Sequence, residues 1–119
     1  MRLPEAVVTQ LALFRSVDDA ANAVSGIIAG GILPAALELL DQAIMRIIDQ
    51  FMHVGYPEHA GAALIIELDG LQDDMQRSID RVAEICKAND VLSIETANTP
   101  EEGARLWLSR RAAFGVSLA

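Results

Sequence analysis

Hydrophobic residues recur with two different spacings in the first third of the chain. Residues 5–14 form a short apolar run, rich in Val and Leu, that ends at the polar Arg15 and therefore predicts a strand. In the segment that follows, apolar residues lie three and four positions apart, as on one face of a helix. These residues are Ala20, Val24, Ile27 and Ile28. Asp18 or Asp19 is the expected N-cap of this helix, and Gly30 its expected end.

The stretch from residue 34 to residue 54 allows two interpretations. Its apolar residues fit one helical stripe from end to end, so local pattern alone predicts a single long helix. Against this, the Gly-Gly pair and Pro34 before it can open a strand, and Asp41 is a good N-cap for a shorter helix over 42–53. We favour a strand at 35–40 followed by that helix.

In the second half of the chain, the predicted strands and helices alternate with clearer boundaries. A nearly continuous apolar run at 62–69 follows a Gly- and Pro-containing loop and is typical of a central strand covered on at least one face. Helical spacing from 73 to 87 predicts a helix, with Asn89 as a left-handed C-cap, and 91–95 predicts another strand.

The last segment begins with a helix start signal. Thr99 is a good N-cap, Pro100 suits the first helical position, and Glu102 stands three residues after the cap. This capping box predicts a helix from 100 to about 112. The predicted order is therefore β, α, β, extra α, β, α, β, α.

Two successive β-α-β patterns predict an α+β fold of the ferredoxin-like sandwich type. We expect a four-stranded antiparallel sheet with helices on one face, one helix inserted after the second strand and one appended at the end. A length of 119 residues is that of one domain, so residues 1–119 are expected to fold as a single unit.

Charge and composition narrow the classes of partner. The chain is 52% hydrophobic and 22% charged, which excludes a disordered chain. Its net charge is −8, with nine scattered Lys and Arg residues, so the surface repels nucleic-acid backbones and anionic lipids. No apolar run reaches the roughly 18 residues of a membrane span, and the start of the chain is not a signal peptide. We expect a cytoplasmic protein.

Few side chains are candidates for a nucleophile or a metal ligand. The lone Cys86 continues the apolar face of its helix and is expected to be packed core. His53 and His59 flank a Gly-Pro loop in no known metal-ligand spacing, so we expect loop histidines and no metal.

Three segments together carry a resemblance to a known family. They are PAALELLD at 34–41, ALIIELDG at 63–70 and LWLSRRAAFG at 106–115. In their order and intervals they resemble the C-terminal domain of FAD-linked oxidases of the glycolate oxidase and D-lactate dehydrogenase group. The third segment is the most specific, and the resemblance covers nearly the whole chain.

The resemblance implies that FAD and the substrate are held by different domains of a larger enzyme. FAD is held by a separate N-terminal domain, and the domain seen here closes over the flavin and orients a 2-hydroxy acid, such as glycolate or D-lactate, for hydride transfer to FAD. We therefore expect a partial C-terminal domain that binds no flavin and is inactive alone. The implied partners are the flavin domain and other oxidase subunits, through which the protein would associate with a membrane.

Arg110 is the candidate substrate-binding residue. The matching arginine of the family motif resembles a clamp for the substrate carboxylate, and a guanidinium offers two parallel N–H donors to such a group. Trp107, Glu38 and Asp41 are candidates for the pocket or the flavin side. For Glu38 the structural alternative is a solvent-facing strand residue, and for Asp41 it is a helix cap.

A second function class remains open on sequence grounds. The chain would then be a free-standing ferredoxin-like module that binds a small ligand or dimerises and has no redox role, since this architecture hosts many functions. The apolar fraction is high for a small monomer, and we also expect a homodimer that buries apolar surface.

Overall fold

The structure, a computed structural model, describes residues 5–53 and 55–97. These residues form four strands and three helices, here numbered in chain order. They are β1 (Glu5–Phe14), α1 (Val17–Ala29), β2 (Ala36–Asp41), α2 (Gln42–Met52), β3 (Ala62–Leu71), α3 (Gln72–Ala88) and β4 (Ser93–Ala97). The helix predicted from residue 100 onward lies outside the described residues.

The four strands form one sheet in the order β2-β3-β1-β4, and every neighbouring pair is antiparallel. Strands β1 and β2, joined by α1, are therefore parallel to each other with β3 between them. Strands β3 and β4, joined by α3, are likewise parallel with β1 between them. These two interleaved β-α-β units confirm the predicted ferredoxin-like α+β sandwich.

The two faces of the sheet are covered by different helices. On one face, called here the α1/α3 face, α1 and α3 pack over strand residues such as Phe14, Leu64 and Ile66. On the other, the α2 face, Met45 and Ile48 of α2 pack with a second set of strand residues. That set is Leu11, Leu13, Leu40, Ala63 and Ile65. The inserted helix thus lies opposite the other two, and the central strands are buried on both faces over residues 11–14 of β1 and 62–66 of β3.

The ambiguous stretch divides into a strand and a helix. Leu37 pairs with Ile66 and Leu40 with Ala63, so β2 extends the sheet beyond β3. Asp41 then ends the strand and starts α2, because its Oδ1 accepts a hydrogen bond of 2.9 Å from the backbone N–H of Ile44. The predicted strand followed by a capped helix is confirmed, and pairing with β3 outweighs the helical pattern of the segment.

One expected cap and one expected backbone conformation belong to neighbouring residues instead. Helix α1 is capped by Ser16, whose Oγ accepts a hydrogen bond of 3.1 Å from the N–H of Asp19, so the predicted Asp18 or Asp19 cap was wrong. The two aspartates lie in the first turn, where they favour the positive end of the helix dipole. At the end of α3, Asn89 has φ −111, and Asp90, with φ 61, adopts the left-handed conformation predicted for Asn89.

Candidate functional site

Among the described side chains, four strand carboxylates share the α2 face of the sheet. Side chains directly opposite each other in antiparallel strands lie on the same face, so the strand register groups them into rows. One row across the sheet is Glu38, Ile65, Leu11 and Glu95, and the next is Ala36, Glu67, Thr9 and Ala97. Asp69 follows opposite Val7. We call Glu38, Glu67, Asp69 and Glu95 the acidic rows.

The acidic rows combine half-buried and exposed carboxylates. Glu38 and Glu67 are half-buried, whereas Asp69 and Glu95 are exposed. No Lys or Arg stands on any of the four strands that the structure describes. The sheet surface beside α2 therefore repels anions, and a carboxylate ligand placed there needs a cation from another element.

Glu38 and Asp41 do not come together. Glu38 is opposite Ile65 on the α2 face, whereas Asp41 is opposite Ala62, which belongs to the core beneath α1 and α3. The carboxylate of Asp41 already accepts the cap hydrogen bond from Ile44. The helix-cap alternative for Asp41 is thus confirmed, and the two carboxylates lie on opposite faces of the sheet.

Removal of the Asp41 side chain should measurably lower the free energy of unfolding. Asp41→Ala should lower the free energy of unfolding by about 1 kcal/mol, because an N–H at the start of α2 loses its acceptor. Asp41→Asn keeps an acceptor oxygen and serves as the matched control, with a change of a few tenths of a kcal/mol at most. Urea denaturation of both variants measures the difference. Equal losses in the two variants would mean that the charge of Asp41, rather than its cap, stabilises the fold.

The other two candidates, Arg110 and Trp107, lie outside the described residues. Their place relative to the acidic rows stays a prediction from the sequence motif. The described Lys and Arg residues are Arg15 in the loop after β1, Arg46 on α2, and Arg77, Arg81 and Lys87 on α3.

The structure also forms an open pocket of about 530 Å³ between α2 and the loop after it, which the sequence did not predict. The two carboxylate oxygens of Asp49 accept hydrogen bonds from the N–H groups of Gly55, at 2.6 Å, and Tyr56, at 3.1 Å. Two turns earlier on the same side of α2, Gln42 Nε2 donates to the carbonyl oxygen of Ala60, at 3.3 Å. The pocket is lined by Gln42, Met45, Arg46, Asp49, Tyr56, Pro57, Glu58 and Ala60.

The charges of this pocket do not suit a carboxylate. Among the described residues that line it, Arg46 is the single cation, and Asp49 and Glu58 place two anions beside it. The spacing of Gln42 and Asp49 at seven residues is the one sequence signal that could have located the pocket, because residues two turns apart share a helix side.

The cysteine lies in the core and the two histidines are exposed, as predicted. Cys86 is buried in the core beneath α1 and α3, and burial raises the pKa of its thiol to about 11. A thiol with so high a pKa is protonated and unreactive at neutral pH. His53 and His59 are exposed, and His53 is the left-handed C-cap of α2.

Residues 5–53 and 55–97 hold neither a metal site nor a membrane-spanning helix. They contain no group of three or more His, Cys, Asp or Glu side chains placed to hold a metal ion. Among the same residues, no helix has the length and apolar character needed to span a membrane.

Comparison with known proteins identifies related chains. Over 113 residues the chain is 43% identical to glycolate oxidase subunit GlcD of Bacillus subtilis, a match that covers 95% of this chain and 24% of that protein. It is 40% identical over 104 residues to glycolate oxidase subunit GlcD of Escherichia coli K12, covering 87% of this chain and 21% of that one. A probable mitochondrial D-lactate dehydrogenase of Danio rerio is 26% identical over 98% of this chain and 23% of its own length. The chain thus spans about a quarter of the length of these relatives.

Solved structures and a family model agree with these relatives. Two structures of alkyldihydroxyacetonephosphate synthase match with TM-scores of 0.69 and 0.64, over 96% and 94% of this chain and 24% and 23% of theirs. Identities of 16% and 17% support the fold alone. The family model for the C-terminal domain of FAD linked oxidases matches residues 3–119. The chain belongs to this family of FAD linked oxidase C-terminal domains.

Proposed function

We propose that this chain is the substrate-side domain of a flavin-linked oxidoreductase that acts on a small 2-hydroxy acid of the glycolate or D-lactate type. The observation that carries the proposal is the 43% identity to glycolate oxidase subunit GlcD over 95% of the chain. The family match over residues 3–119 supports the same assignment.

The described residues do not fit a binding site for the pyrophosphate of FAD. Helix N-termini are the usual backbone sites for phosphate groups, but α1 carries Asp18 and Asp19 in its first turn and α3 carries Asp73 and Asp74. These carboxylates repel a phosphate from both positions. FAD therefore belongs, in this proposal, to an N-terminal domain joined to this chain in the complete protein.

The role left to this domain is to hold and orient the acid. The acidic rows repel a carboxylate substrate, and the four described strands provide no cation to hold it. Arg110 in the C-terminal segment supplies the missing charge in our proposal, and Trp107 stands three residues before it in the sequence. Glu38 would stand at the edge of the substrate pocket that Arg110 forms in this proposal, where repulsion by its carboxylate favours one orientation of the acid.

Expression of the complete reading frame that contains this chain tests the proposal. The purified protein should show flavin absorbance and should reduce an artificial electron acceptor when glycolate or D-lactate is added. The 119-residue chain alone should be colourless and inactive, and serves as the control. A flavoprotein that oxidises neither acid, or a complete protein without flavin, would remove the proposed function.

Association with other oxidase subunits and a cytoplasmic location also remain proposals. The homodimer expected from the apolar composition is likewise a proposal.

A further inference from the structure

Helix α2 covers one side of the face that is named after it. Its main contacts are with β2 and β3. The described helices with their main contacts on β1 are α1 and α3, and they lie on the opposite face. In the described part of the chain, the side of the α2 face formed by β1 and β4 thus has no helix centred over it. We call this surface, which runs from Thr9 to Leu13 and from Ser93 to Ala97, the β1-β4 half.

Side chains of the β1-β4 half are nevertheless buried. Thr9 is 3% exposed, Leu11 7% and Ala97 4%. Leu92 packs against the same cluster, but its N–H donates a hydrogen bond to the carbonyl oxygen of Leu13, so it lies at the far end of this half from Thr9. The burial of Thr9 and Ala97 indicates that a further segment of the molecule covers them.

The chain leaves β4 next to these buried residues. Ala97 ends β4 opposite Thr9, and residues 98–119, outside the described part, follow directly. The three residue steps from Ala97 to Pro100 reach at most about 11 Å, so the predicted helix begins close to Thr9. Over 100–112 that helix would be about 20 Å long, and the five-residue strand β4 is about 17 Å long. A helix that runs back along β4 would therefore cover the β1-β4 half from end to end.

The opposite face offers less room over β1. Val82 and Cys86 of α3 pack in one cluster with Val8 and Ala12 of β1, and Ile94 of β4 packs against that cluster. A further helix over β1 on that side would have to displace α3. The α2 face is therefore the one on which a helix that follows β4 can contact both β1 and β4.

Charge favours the same face. The acidic rows place Glu67 and Glu95 there, and the four described strands carry no Lys or Arg. Residues 98–119 contain three of the nine basic residues of the chain, Arg105, Arg110 and Arg111. On a helix these three point in directions about 100–140° apart, so any side that packs on the sheet brings a guanidinium close to the carboxylates. The two glutamates of the segment stand in the first turn of the predicted helix, where they favour the positive end of its dipole.

We propose that residues 98–119 are the second cover of the α2 face: their helix runs back over β1 and β4 beside α2, and at least one of their arginines pairs with a carboxylate of the acidic rows. Each face of the sheet would then carry two helices. The inference concerns where the segment with Trp107 and Arg110 lies, and it does not rest on the proposed oxidation of a 2-hydroxy acid.

The fluorescence of Trp107, the single tryptophan of the chain, tests this placement. Ser93 and Ser25 are both exposed, but Ser93 is opposite Leu13 on the α2 face, whereas Ser25 is on α1. Ser93→Cys and Ser25→Cys in the 119-residue chain can each carry a nitroxide, which quenches tryptophan at short range, while Cys86 is buried. The label at position 93 should remove most of the Trp107 emission, and the label at position 25 should leave it near the unlabelled value.

Every other outcome of this labelling experiment contradicts the proposal. Quenching from position 25 and not from position 93 would place the segment on the α1/α3 face. Quenching from neither position would mean that the segment does not pack on the sheet beside β4. Circular dichroism shows whether each variant folds, and chemical reduction of the nitroxide should restore the emission if the label itself is the quencher.

A pair of charge reversals tests the role of the acidic rows. Glu95 on β4 and Glu84 on α3 are both exposed. Glu95→Lys should make Trp107 more accessible to the neutral quencher acrylamide, because a lysine there repels the arginines of the segment. Glu84→Lys, the matched control, should leave the accessibility of Trp107 unchanged. Equal effects of the two variants would show that the acidic rows do not hold the segment and would overturn the proposed ion pair.

Discussion

In the complete enzyme, Arg110→Ala should lower kcat/KM for the 2-hydroxy acid by an amount equivalent to about 2–5 kcal/mol, while the free energy of unfolding barely changes. The expected loss is large because the guanidinium and the substrate carboxylate would form a charge-assisted pair, and removal of one partner leaves the other charge uncompensated.

Comparison of two further variants gives this prediction its specificity. Arg110→Lys should be nearly as harmful as Arg110→Ala, because an ammonium cannot donate the two parallel hydrogen bonds of a guanidinium. Arg111→Ala, the neighbouring control, should have little effect. Steady-state kinetics on full-length protein measure all three. If Arg110→Ala stayed within about threefold of wild type, roughly 0.7 kcal/mol, Arg110 would be an ordinary surface arginine.

Gly61→Ala should be the most damaging single-methyl change within the described residues, with a loss of about 3 kcal/mol in the free energy of unfolding. Gly61 N–H donates a 2.8 Å hydrogen bond to the carbonyl oxygen of Phe14. A methyl group at position 61 would overlap the carbonyl oxygen of Arg15 and lie 2.8 Å from its carbonyl carbon. Both atoms are backbone, so they cannot turn aside as a side chain would.

Gly31→Ala provides the control for this prediction. Gly31 has φ +84 and no atom within 4 Å of an added methyl group, so the change introduces backbone strain without overlap and should cost about 1 kcal/mol. Urea denaturation of the two variants separates the two effects. Losses of equal size would show that the backbone around Arg15 yields easily, contrary to its position at the end of a buried strand.

The sequence was sufficient for the order of elements but not for every local detail. The strand at 36–41 was the hardest part, because a helical stripe continues through it, and Asp41 was the residue that indicated a boundary there. Ser16 and Asp18 are both residue types that cap helices, and only the position of the backbone decides which side chain reaches the free N–H. The same holds at Asn89 and Asp90, where a left-handed residue was expected one position too early.

The apolar pattern of β3 indicates that helices cover both faces of the sheet. The run from Ala62 to Ile66 is buried without a break, which requires cover on both faces of β3. A sheet with helices on one side alone would show alternation there. A continuous apolar strand in the middle of an antiparallel sheet is thus a signal that an inserted helix lies on the second face.

Less of the candidate site than of the fold could be predicted from the sequence. Asp41 was identified as a cap by residue type, and Glu38 by alternation, but the grouping of Glu67, Asp69 and Glu95 with Glu38 needs the strand register. Register depends on pairing between segments far apart in sequence, which single-chain patterns do not encode. Arg110 was located by motif resemblance, a kind of signal that hydrophobic patterning does not provide.

The strand order also has a consequence for how the chain is made. Of the four strands, β1 is synthesised before the others, yet it lies in the middle of the sheet and pairs only with strands that come much later, such as Phe14 with Ala62 and Ala12 with Ile94. A growing chain can join β2 to β3 around α2 while β1, with its buried Val, Leu and Phe side chains, waits for its last neighbour. Such long-range closure is slow, so β1 is the strand of this sheet in greatest need of protection from aggregation until residue 97 has emerged from the ribosome.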